Sequence, residues 1–154
     1  MVNYTNGKTC SLFGHRKISD IEKVVCFLKE VLIKLINKGY SNFYVGNHGD
    51  FDRISLGVLK RLKNVYRNIN INIVITNFYN LEKDKDDLAN YILFDIEEIH
   101  PKRRILFSNN KMVDKSDIII FYVNPIYDNT SGAKRVFNLA LKKQKEHINI
   151  YDFI

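Results

Sequence analysis

The sequence contains little cysteine, and this limits both how the chain is stabilised and which metals it holds. Only Cys10 and Cys26 occur in 154 residues, and neither has a cysteine or histidine at metal-ligand spacing. Disulfides are not needed at this length, because such a domain buries about two thirds of the surface that its unfolded chain exposes. We expect no metal site, and we expect both thiols to be reduced packing residues on a core strand and a core helix.

Long apolar runs are absent as well. The longest, over 24–36, is interrupted by Lys29, Glu30 and Lys34, whereas a membrane span needs ~20 apolar residues. The start of the chain is polar and lacks the cleavable apolar segment of a signal peptide. These features predict a cytoplasmic protein with no membrane partner.

Proline is also rare, with 2 in the chain, and the composition is that of an ordinary globular protein. We predict one domain over residues 1–154. The net charge is +7, but residues 82–98 hold seven acids and two lysines, so the remainder is strongly basic. Such a chain favours an anionic partner, either a phosphorylated small molecule or nucleic acid, although solvated lysine faces give the same composition.

Periodicity predicts a strand and then a helix near the N-terminus. The strand covers Thr9 to Phe13, and Ser19 with Glu22 matches a capping box that makes Ser19 the helix N-cap. Gly39 supplies the left-handed residue that ends this helix. Its predicted apolar face consists of Ile21, Val25, Leu28, Leu32, Leu35 and Ile36.

Strand and helix signals alternate over the rest of the chain. Further strands are predicted over 42–45, 69–75, 118–123 and 147–151, with apolar helix faces over 54–65 and 133–141 and a basic helix over 102–114. The strand over 69–75 should lie near an edge with one face exposed at its start. The apolar strand over 118–123 should lie in the middle of the sheet. Residues 77–100 predict an irregular segment with a short helical piece.

This alternation predicts an α/β fold, a Rossmann-like open parallel sheet with helices on both faces. Ligands of such sheets bind beyond the carboxyl ends of the strands, and four glycines follow predicted strands there: Gly14, Gly46, Gly49 and Gly132. They bring the backbone close to a ligand, and the following helix N-termini present N–H groups to phosphate; alternatively they are simply turn residues. Arg16 is the preferred anion ligand. His15 either contacts the ligand or hydrogen-bonds to the loop.

The residues around these glycines resemble a known family. The resemblance is carried by residues 10–16 (Cys-Ser-Leu-Phe-Gly-His-Arg), by 43–52 (Phe-Tyr-Val-Gly-Asn-His-Gly-Asp-Phe-Asp), and by Asn109, 112–114, 116–117 and 131–133. Together they resemble the YpsA-like branch of the SLOG superfamily over residues 9–151. The resemblance implies a Rossmann-like nucleotide-binding fold, often dimeric. Relatives include cytokinin-activating phosphoribohydrolases, DNA-processing proteins and sensor domains for NAD-derived signals.

On this resemblance, we expect a nucleotide or NAD-derived ligand that the protein senses or sequesters. The expected ligand-binding residues are Gly14, His15, Arg16, Gly46, Asn47, Gly49, Asp52, Asn109, Ser131, Gly132 and Lys134. We also expect a homodimer or larger assembly. A second reason for this is a group of aromatic residues that could cover a partner surface, Phe78, Tyr79, Tyr91 and Phe94.

The sequence departs from the family pattern at several points. Asn47 and Ser131 stand where the family has one residue of a glycine pair, and Ser108 stands where an arginine commonly precedes the asparagine. The phosphoribohydrolases carry a Pro-Gly-Gly-x-Gly-Thr-x-x-Glu motif, but this chain has no acid between Asp128 and Glu146. We therefore predict that it has no phosphoribohydrolase activity.

Two alternatives to a binding module remain open. A nucleoside or nucleotide N-glycosidase or transferase needs a carboxylate, for which Asp50 and Asp52 are candidates. Asp52 is also a candidate helix N-cap, and either acid could hold ribose hydroxyls. The other alternative, a DNA-binding accessory protein, is suggested by basic clusters over 102–104 and 142–145. No aromatic residues interleave with those clusters, so solvated faces are the favoured interpretation.

Overall fold

A parallel sheet of six strands runs through the protein. The structure, a computed structural model, describes residues 7–76, 88–94, 98–126 and 131–154. The strands are β1 (Lys8–Gly14), β2 (Tyr40–Val45), β3 (Asn70–Val74), β4 (Asn90–Ile92), β5 (Ile118–Tyr122) and β6 (Glu146–Asn149). Their order is β4-β3-β2-β1-β5-β6, and every neighbouring pair is parallel. The chain thus builds outward from β1 on one side and then crosses to its other side.

Helices cover both faces of this sheet. They are α1 (Ile21–Asn37), α2 (Asp50–Lys63), α3 (Arg104–Lys115) and α4 (Gly132–Lys142), with 3-10 helices over Pro101–Arg103 and Ile150–Phe153. α1 and α2 pack together over one core, and α3 and α4 pack together over a second. This architecture confirms the predicted Rossmann-like α/β class. Among the described residues, no helix is long and apolar enough to span a membrane.

The two cores are separated by the alternation of side chains along the strands. In β5, Ile118 and Ile120 belong to the core beneath α1 and α2, whereas Ile119 and Phe121 belong to the core beneath α3 and α4. Every residue of β5 is buried, as its apolar run predicts. However, β6 pairs with its outer side, so β5 is second from the edge and β1 and β2 occupy the middle.

The N-terminal part of α1 differs from the prediction. Asp20, not Ser19, is the N-cap, and no side chain caps the helix, so the predicted capping box is wrong. The first helical bond runs from the N–H of Val24 to the carbonyl oxygen of Asp20. Cys26 is exposed rather than packed in the core, because it lies on the side of α1 opposite the buried positions, which are Val24, Leu28, Leu32 and Leu35.

The segment predicted as irregular contains the edge strand. Residues 90–92 form β4 and pair with 72–74 of β3, but three residues are too few for a periodic signal in the sequence. β3 is second from the edge, as predicted. Its Asn72 was expected on an exposed face but is buried, and its Nδ2 donates to the carbonyl oxygen of Phe43 at 3.2 Å.

The aromatic residues expected to cover a partner are only partly described. Tyr91 packs against the core beneath α1 and α2, and Phe94 packs against the core beneath α3 and α4. Phe78 and Tyr79 lie outside the described residues. Within 77–100 the structure describes residues 88–94 and 98–100, and these contain no helix. The other residues of this segment, where a short helix was predicted, lie outside the described residues.

Several elements end earlier than predicted. α2 ends at Lys63, which leaves Val65 74% exposed. α4 covers the predicted range, but its Leu141, predicted on the apolar face, is exposed. β6 ends at Asn149, whose amide binds both backbone groups of Val123, donating at 2.8 Å and accepting at 3.0 Å. This side chain fixes the turn into the final 3-10 helix.

Candidate functional site

A cleft opens at the carboxyl end of β1, where the strand order switches. Its volume is about 380 Å³. Open α/β sheets bind ligands at this position, in sites of roughly 300–1,000 Å³. The cleft is lined by Phe13, Gly14, His15, Arg16, Lys17, His48, Gly49, Asp52, Ile105, Asn109, Ser131, Gly132, Ala133 and Val136.

The fold brings most of the predicted ligand-binding residues together here. Those in the lining are Gly14, His15, Arg16, Gly49, Asp52, Asn109, Ser131 and Gly132. Gly46, Asn47 and Lys134 are not in it. The Nζ of Lys134 instead donates to the carbonyl oxygen of Pro125 at 3.1 Å. A methyl group on Gly46 would stand 3.0 Å from Oδ2 of Asp52, so that carboxylate covers the glycine.

The glycines at this edge serve different purposes. A methyl group on Gly14 would stand 2.3 Å from Cγ of Phe51, and one on Gly49 would stand 2.5 Å from Cα of Arg16. These two glycines allow α2 and its preceding loop to pack tightly against the end of β1. None of the described residues comes within 4 Å of the equivalent point on Gly132. As far as the described residues go, the backbone of Gly132 can therefore be approached by a ligand.

The first N–H groups of α2 donate to backbone carbonyl oxygens of the loop after β1. The N–H of Asp50 donates to the carbonyl oxygen of Arg16 at 2.9 Å, and the N–H of Phe51 donates to that of His15 at 3.4 Å. The first turn also contains two acids, Asp50 and Asp52. This helix terminus is thus poorly suited to an anion, because its first donors are used and carboxylates offset its partial positive charge.

Asp52 organises the loop that precedes α2. Gly49 is the N-cap, so Asp52 lies in the first helical turn and the predicted N-cap position is wrong. Its Oδ2 nevertheless accepts the N–H of His48 at 2.9 Å. Burial raises the pKa of the Asp52 carboxyl, and the N–H groups of His48, Gly46 and Gly49 oppose this rise. The carboxylate is engaged in holding its own loop.

Asp50, the other candidate carboxylate, lies outside the cleft lining. Its Oδ2 accepts the N–H of Ile18 at 3.0 Å, and its Oδ1 pairs with the guanidinium of Arg53 at 3.2 Å. It therefore joins the loop after β1 to α2. Both carboxylates accept hydrogen bonds from backbone N–H groups. Neither is therefore presented to a substrate free of protein contacts.

His15 links the loops that follow β1 and β5. Its Nε2 accepts the N–H of Asn124 at 2.7 Å, which places the proton of the neutral ring on Nδ1. The ring also makes an edge contact with Tyr122. Burial lowers the pKa of His15, consistent with this role of a neutral acceptor. The loop-bridging role is thus present, and His15 also lines the cleft.

The cleft includes residues that the sequence did not single out as ligand-binding. His48 is half-buried, and both burial and the positive charge of Arg16 lower its pKa. Ile105 lies one turn before Asn109 on α3, so the two share a helix face, a spacing that could have identified it. Three further lining residues, Phe13, Lys17 and Ala133, are direct neighbours of predicted positions. Val136 lies one turn after Gly132 on α4.

The N-terminus of α4 is the open helix terminus of the cleft. The hydroxyl of Ser131 accepts the N–H of Lys134 at 3.5 Å. Within the described parts of the chain, nothing accepts the N–H of Gly132 or Ala133. The first turn contains no acid, so its partial positive charge is not offset.

Two cations line the same cleft as this terminus. Arg16 is exposed, and it forms no ion pair with any acid that the structure describes. Its charge lowers the pKa of His48 and opposes the burial that raises the pKa of Asp52. Lys17 also lines the cleft. Cations that pair with no described acid, in one cleft with N–H groups that have no acceptor among the described residues, are suited to bind an anion.

Apolar side chains complete the lining, chiefly Phe13, Ile105 and Val136. The described residues contain no cluster of three or more His, Cys, Asp or Glu side chains placed to hold a metal ion. Compared with models of known protein families and with curated protein sequences, the chain matches none. The function is therefore inferred from the geometry of the cleft.

Proposed function

We propose that the cleft binds a phosphate-bearing nucleotide, or an NAD-derived nucleotide, which the protein senses or sequesters. The observation that carries this proposal is a single cleft that combines three features: a helix N-terminus and an Arg16 that have no partner among the described residues, and an apolar wall. A nucleotide matches these features, because its phosphate is anionic and its base is a flat aromatic ring. The resemblance to the YpsA-like branch of the SLOG superfamily points to the same class of ligand.

The phosphate belongs at α4 rather than at α2. At α4 the N–H groups of Gly132 and Ala133 have no acceptor among the described residues, and no acid lies in the first turn. At α2 the first donors bind backbone carbonyl oxygens and two acids follow. Arg16 then supplies a second, charge-assisted contact to the same phosphate.

The base belongs against the apolar wall. Phe13, Ile105 and Val136 remove an aromatic face from water, and the amide of Asn109 offers both a donor and an acceptor to the polar edge of a base. Ile105 is 37% exposed in the free protein, so part of this surface is available to a ligand.

Binding without turnover is favoured over cleavage of an N-glycosidic bond. That reaction needs a carboxylate aimed at the sugar. Asp52 accepts a backbone hydrogen bond from His48, and Asp50 lies outside the lining. Release of free base from nucleoside monophosphates, abolished by Asp52→Asn, would support the glycosidase alternative instead.

A ligand screen is the first test. Thermal shifts with nucleotides, dinucleotides and cyclic nucleotides should identify a binder, because a ligand at ~100 times its dissociation constant adds roughly 2.7 kcal/mol of stability. Inorganic phosphate alone should give a small shift. No shift with any nucleotide at millimolar concentration would contradict the proposal. The expected homodimer stays a prediction, which sedimentation at micromolar concentration tests.

Arg16 provides the residue-level test of this function. Arg16→Ala should weaken binding of the best nucleotide by about 2–5 kcal/mol, because one partner of a charge-assisted pair is lost. Stability should change by only about 0.5 kcal/mol, since the side chain is exposed. Arg16→Lys should restore affinity in part, because it keeps the charge but not the planar fork.

The matched control for Arg16→Ala is Arg61→Ala, which removes an exposed arginine on α2 outside the cleft lining. Calorimetric titration of both variants, with their unfolding midpoints, separates binding from folding. Equal affinity of Arg16→Ala and wild type would show that the loop after β1 is structural and that the assigned phosphate site is wrong.

A further inference from the structure

The positive charge of the helices is concentrated on one side of the sheet. The elements Pro101–Arg103, α3 and α4 together contain eight lysines and arginines and one acid, Asp114. α1 and α2 together contain seven basic residues and four acids. Asp114 is itself paired with Lys143. The outer surface of Pro101–Arg103, α3 and α4, here called the basic face, includes five exposed cations: Arg103, Lys111, Lys115, Arg135 and Lys142.

The fold also places aromatic rings among these cations. The Nζ of Lys111 lies 5.5 Å from the ring centre of Phe107, and the Nζ of Lys115 lies 6.0 Å from that of Phe94. Phe94 follows β4 and stacks on Tyr44 of β2, with ring centres 6.4 Å apart. All three rings are half-buried, so part of each remains accessible. The sequence does not show this pattern, because Tyr44 and Phe94 are distant from α3 along the chain.

We propose that the basic face binds single-stranded nucleic acid. Lysines and arginines neutralise phosphates, and accessible aromatic rings provide surfaces on which unpaired bases stack. The 12 residues of α3 extend about 18 Å. Single strands are favoured over duplex because a duplex keeps its bases stacked inside. Leu106 and Leu141 are exposed on the same two helices, so an anionic membrane is the competing partner, and the test below includes vesicles.

This surface is separate from the nucleotide cleft. Arg103, Lys111 and Lys142 are all exposed, and none of them lines the cleft. The proposal therefore does not rest on the proposed function, and the two can fail independently. Nucleotide affinity measured on the same variants distinguishes the two failures.

The test is fluorescence anisotropy with a labelled oligothymidylate of about 20 nucleotides over a series of salt concentrations. The test variant combines Arg103→Gln, Lys111→Gln and Lys142→Gln. The control variant combines Lys23→Gln, Lys29→Gln and Arg61→Gln, which are exposed positions on α1 and α2. Both variants lose the same net charge and the same residue types, so only the position of the charge differs.

The wild type should bind the oligonucleotide, and duplex of the same length should compete poorly. The test variant should bind at least about tenfold more weakly, with the slope of log affinity against log salt reduced by about two. The control should change affinity by less than about twofold. Phe107→Leu should weaken binding by about fivefold without changing the salt slope, because stacking is lost and charge is kept.

Several results would overturn the proposal. Equal losses in the test and control variants would show that net charge, not the basic face, attracts the oligonucleotide. Absence of binding at low salt, or binding to vesicles of phosphatidylserine and phosphatidylcholine without binding to oligonucleotide, would also refute it. If the triple test variant melts early, the single Lys142→Gln and Lys29→Gln variants make the same comparison.

Discussion

At the scale of single residues, two glycines at the cleft differ in what their missing side chains permit. Gly14 leaves space for Phe51, a buried residue of α2, so the protein itself fills that space. Gly132 faces no described residue within 4 Å, so none of the described residues fills that space. Both glycines follow predicted strands, and the sequence could not separate them because the filling side chain comes from a distant part of the chain.

A pair of alanine substitutions tests this difference. Gly14→Ala should destabilise the protein by about 1–3 kcal/mol, because the methyl group overlaps the Phe51 ring and the core has to shift. Gly132→Ala should change the free energy of unfolding by less than about 1 kcal/mol. It should nevertheless reduce nucleotide affinity, because its methyl group covers the open N-terminus of α4. Urea unfolding and calorimetric titration measure the two effects, and normal binding by Gly132→Ala would contradict them.

At the scale of elements, α1 and α4 are each followed by a residue with positive φ, but the residue types differ. After α1, Gly39 has a φ of +100°, and after α4, Gln144 has a φ of 56°. The N–H of Gln144 donates to the carbonyl oxygen of Leu141, and that of Lys145 donates to Ala140. These bonds form a Schellman motif, which favours glycine at the left-handed position.

Exchanging the residue types should therefore move stability in opposite directions. Gln144→Gly should stabilise the protein by about 0.5–1 kcal/mol, because the left-handed backbone is strained for residues with a Cβ. Gly39→Gln should destabilise it by about 1–2 kcal/mol for the same reason. At this chain length, about 1 kcal/mol shifts the melting temperature by roughly 2–4 °C. A lower melting temperature for Gln144→Gly would show that its side chain contributes more than the strain costs.

The sequence predicts elements well where their signal is long and local. The apolar run of β5 and the period of α1 predict both elements, and Gly39 marks the end of α1. β4 is missed because three residues carry no periodicity. The predicted orientation of α1 is partly wrong, because the buried face of the helix depends on how it packs against α2 and the sheet. This packing leaves Cys26 outside the core.

At the scale of the whole molecule, stability should depend on pH through the histidines of the cleft. Burial lowers the pKa of both His15 and His48 below the ordinary value of 6.5. The unfolded chain therefore binds protons more readily, and acidification favours unfolding. The stability associated with these groups is present above pH 6.5 and is lost as pH falls through their lowered pKa values.

The test compares wild type with His15→Gln at pH 7 and pH 5. Glutamine keeps an acceptor for the N–H of Asn124 but does not titrate, so the variant should lose less stability than wild type between these values. The double variant with His48→Gln should lose less still. Asp52 is common to all three proteins, and its raised pKa acts in the opposite direction. Identical losses of stability in all three would show that these histidines do not carry the pH dependence.

The overall architecture was predictable, but the distribution of function over its surface was less so. Strand–helix alternation predicts the parallel sheet, and glycines after strands predict the edge at which the cleft lies. The sequence could not show that Asp52 holds its own loop or that Lys134 binds Pro125, because both depend on where backbone groups lie in the fold. The concentration of cations on one side of the sheet likewise depends on the fold, because it arises when α3 and α4 pack together on that side.

The unequal N-termini of α2 and α4 also determine which amide protons exchange with solvent. The amides of Asp50 and Phe51 are bonded to carbonyl oxygens, whereas those of Gly132 and Ala133 have no acceptor that the structure describes. Deuterium should therefore enter 132–133 rapidly and 50–51 slowly in the free protein. A phosphate bound at α4 should slow exchange at 132–133 and leave 50–51 unchanged. Exchange rates would thus locate the phosphate of an unidentified ligand, and slowing confined to 50–51 would place it at α2 instead.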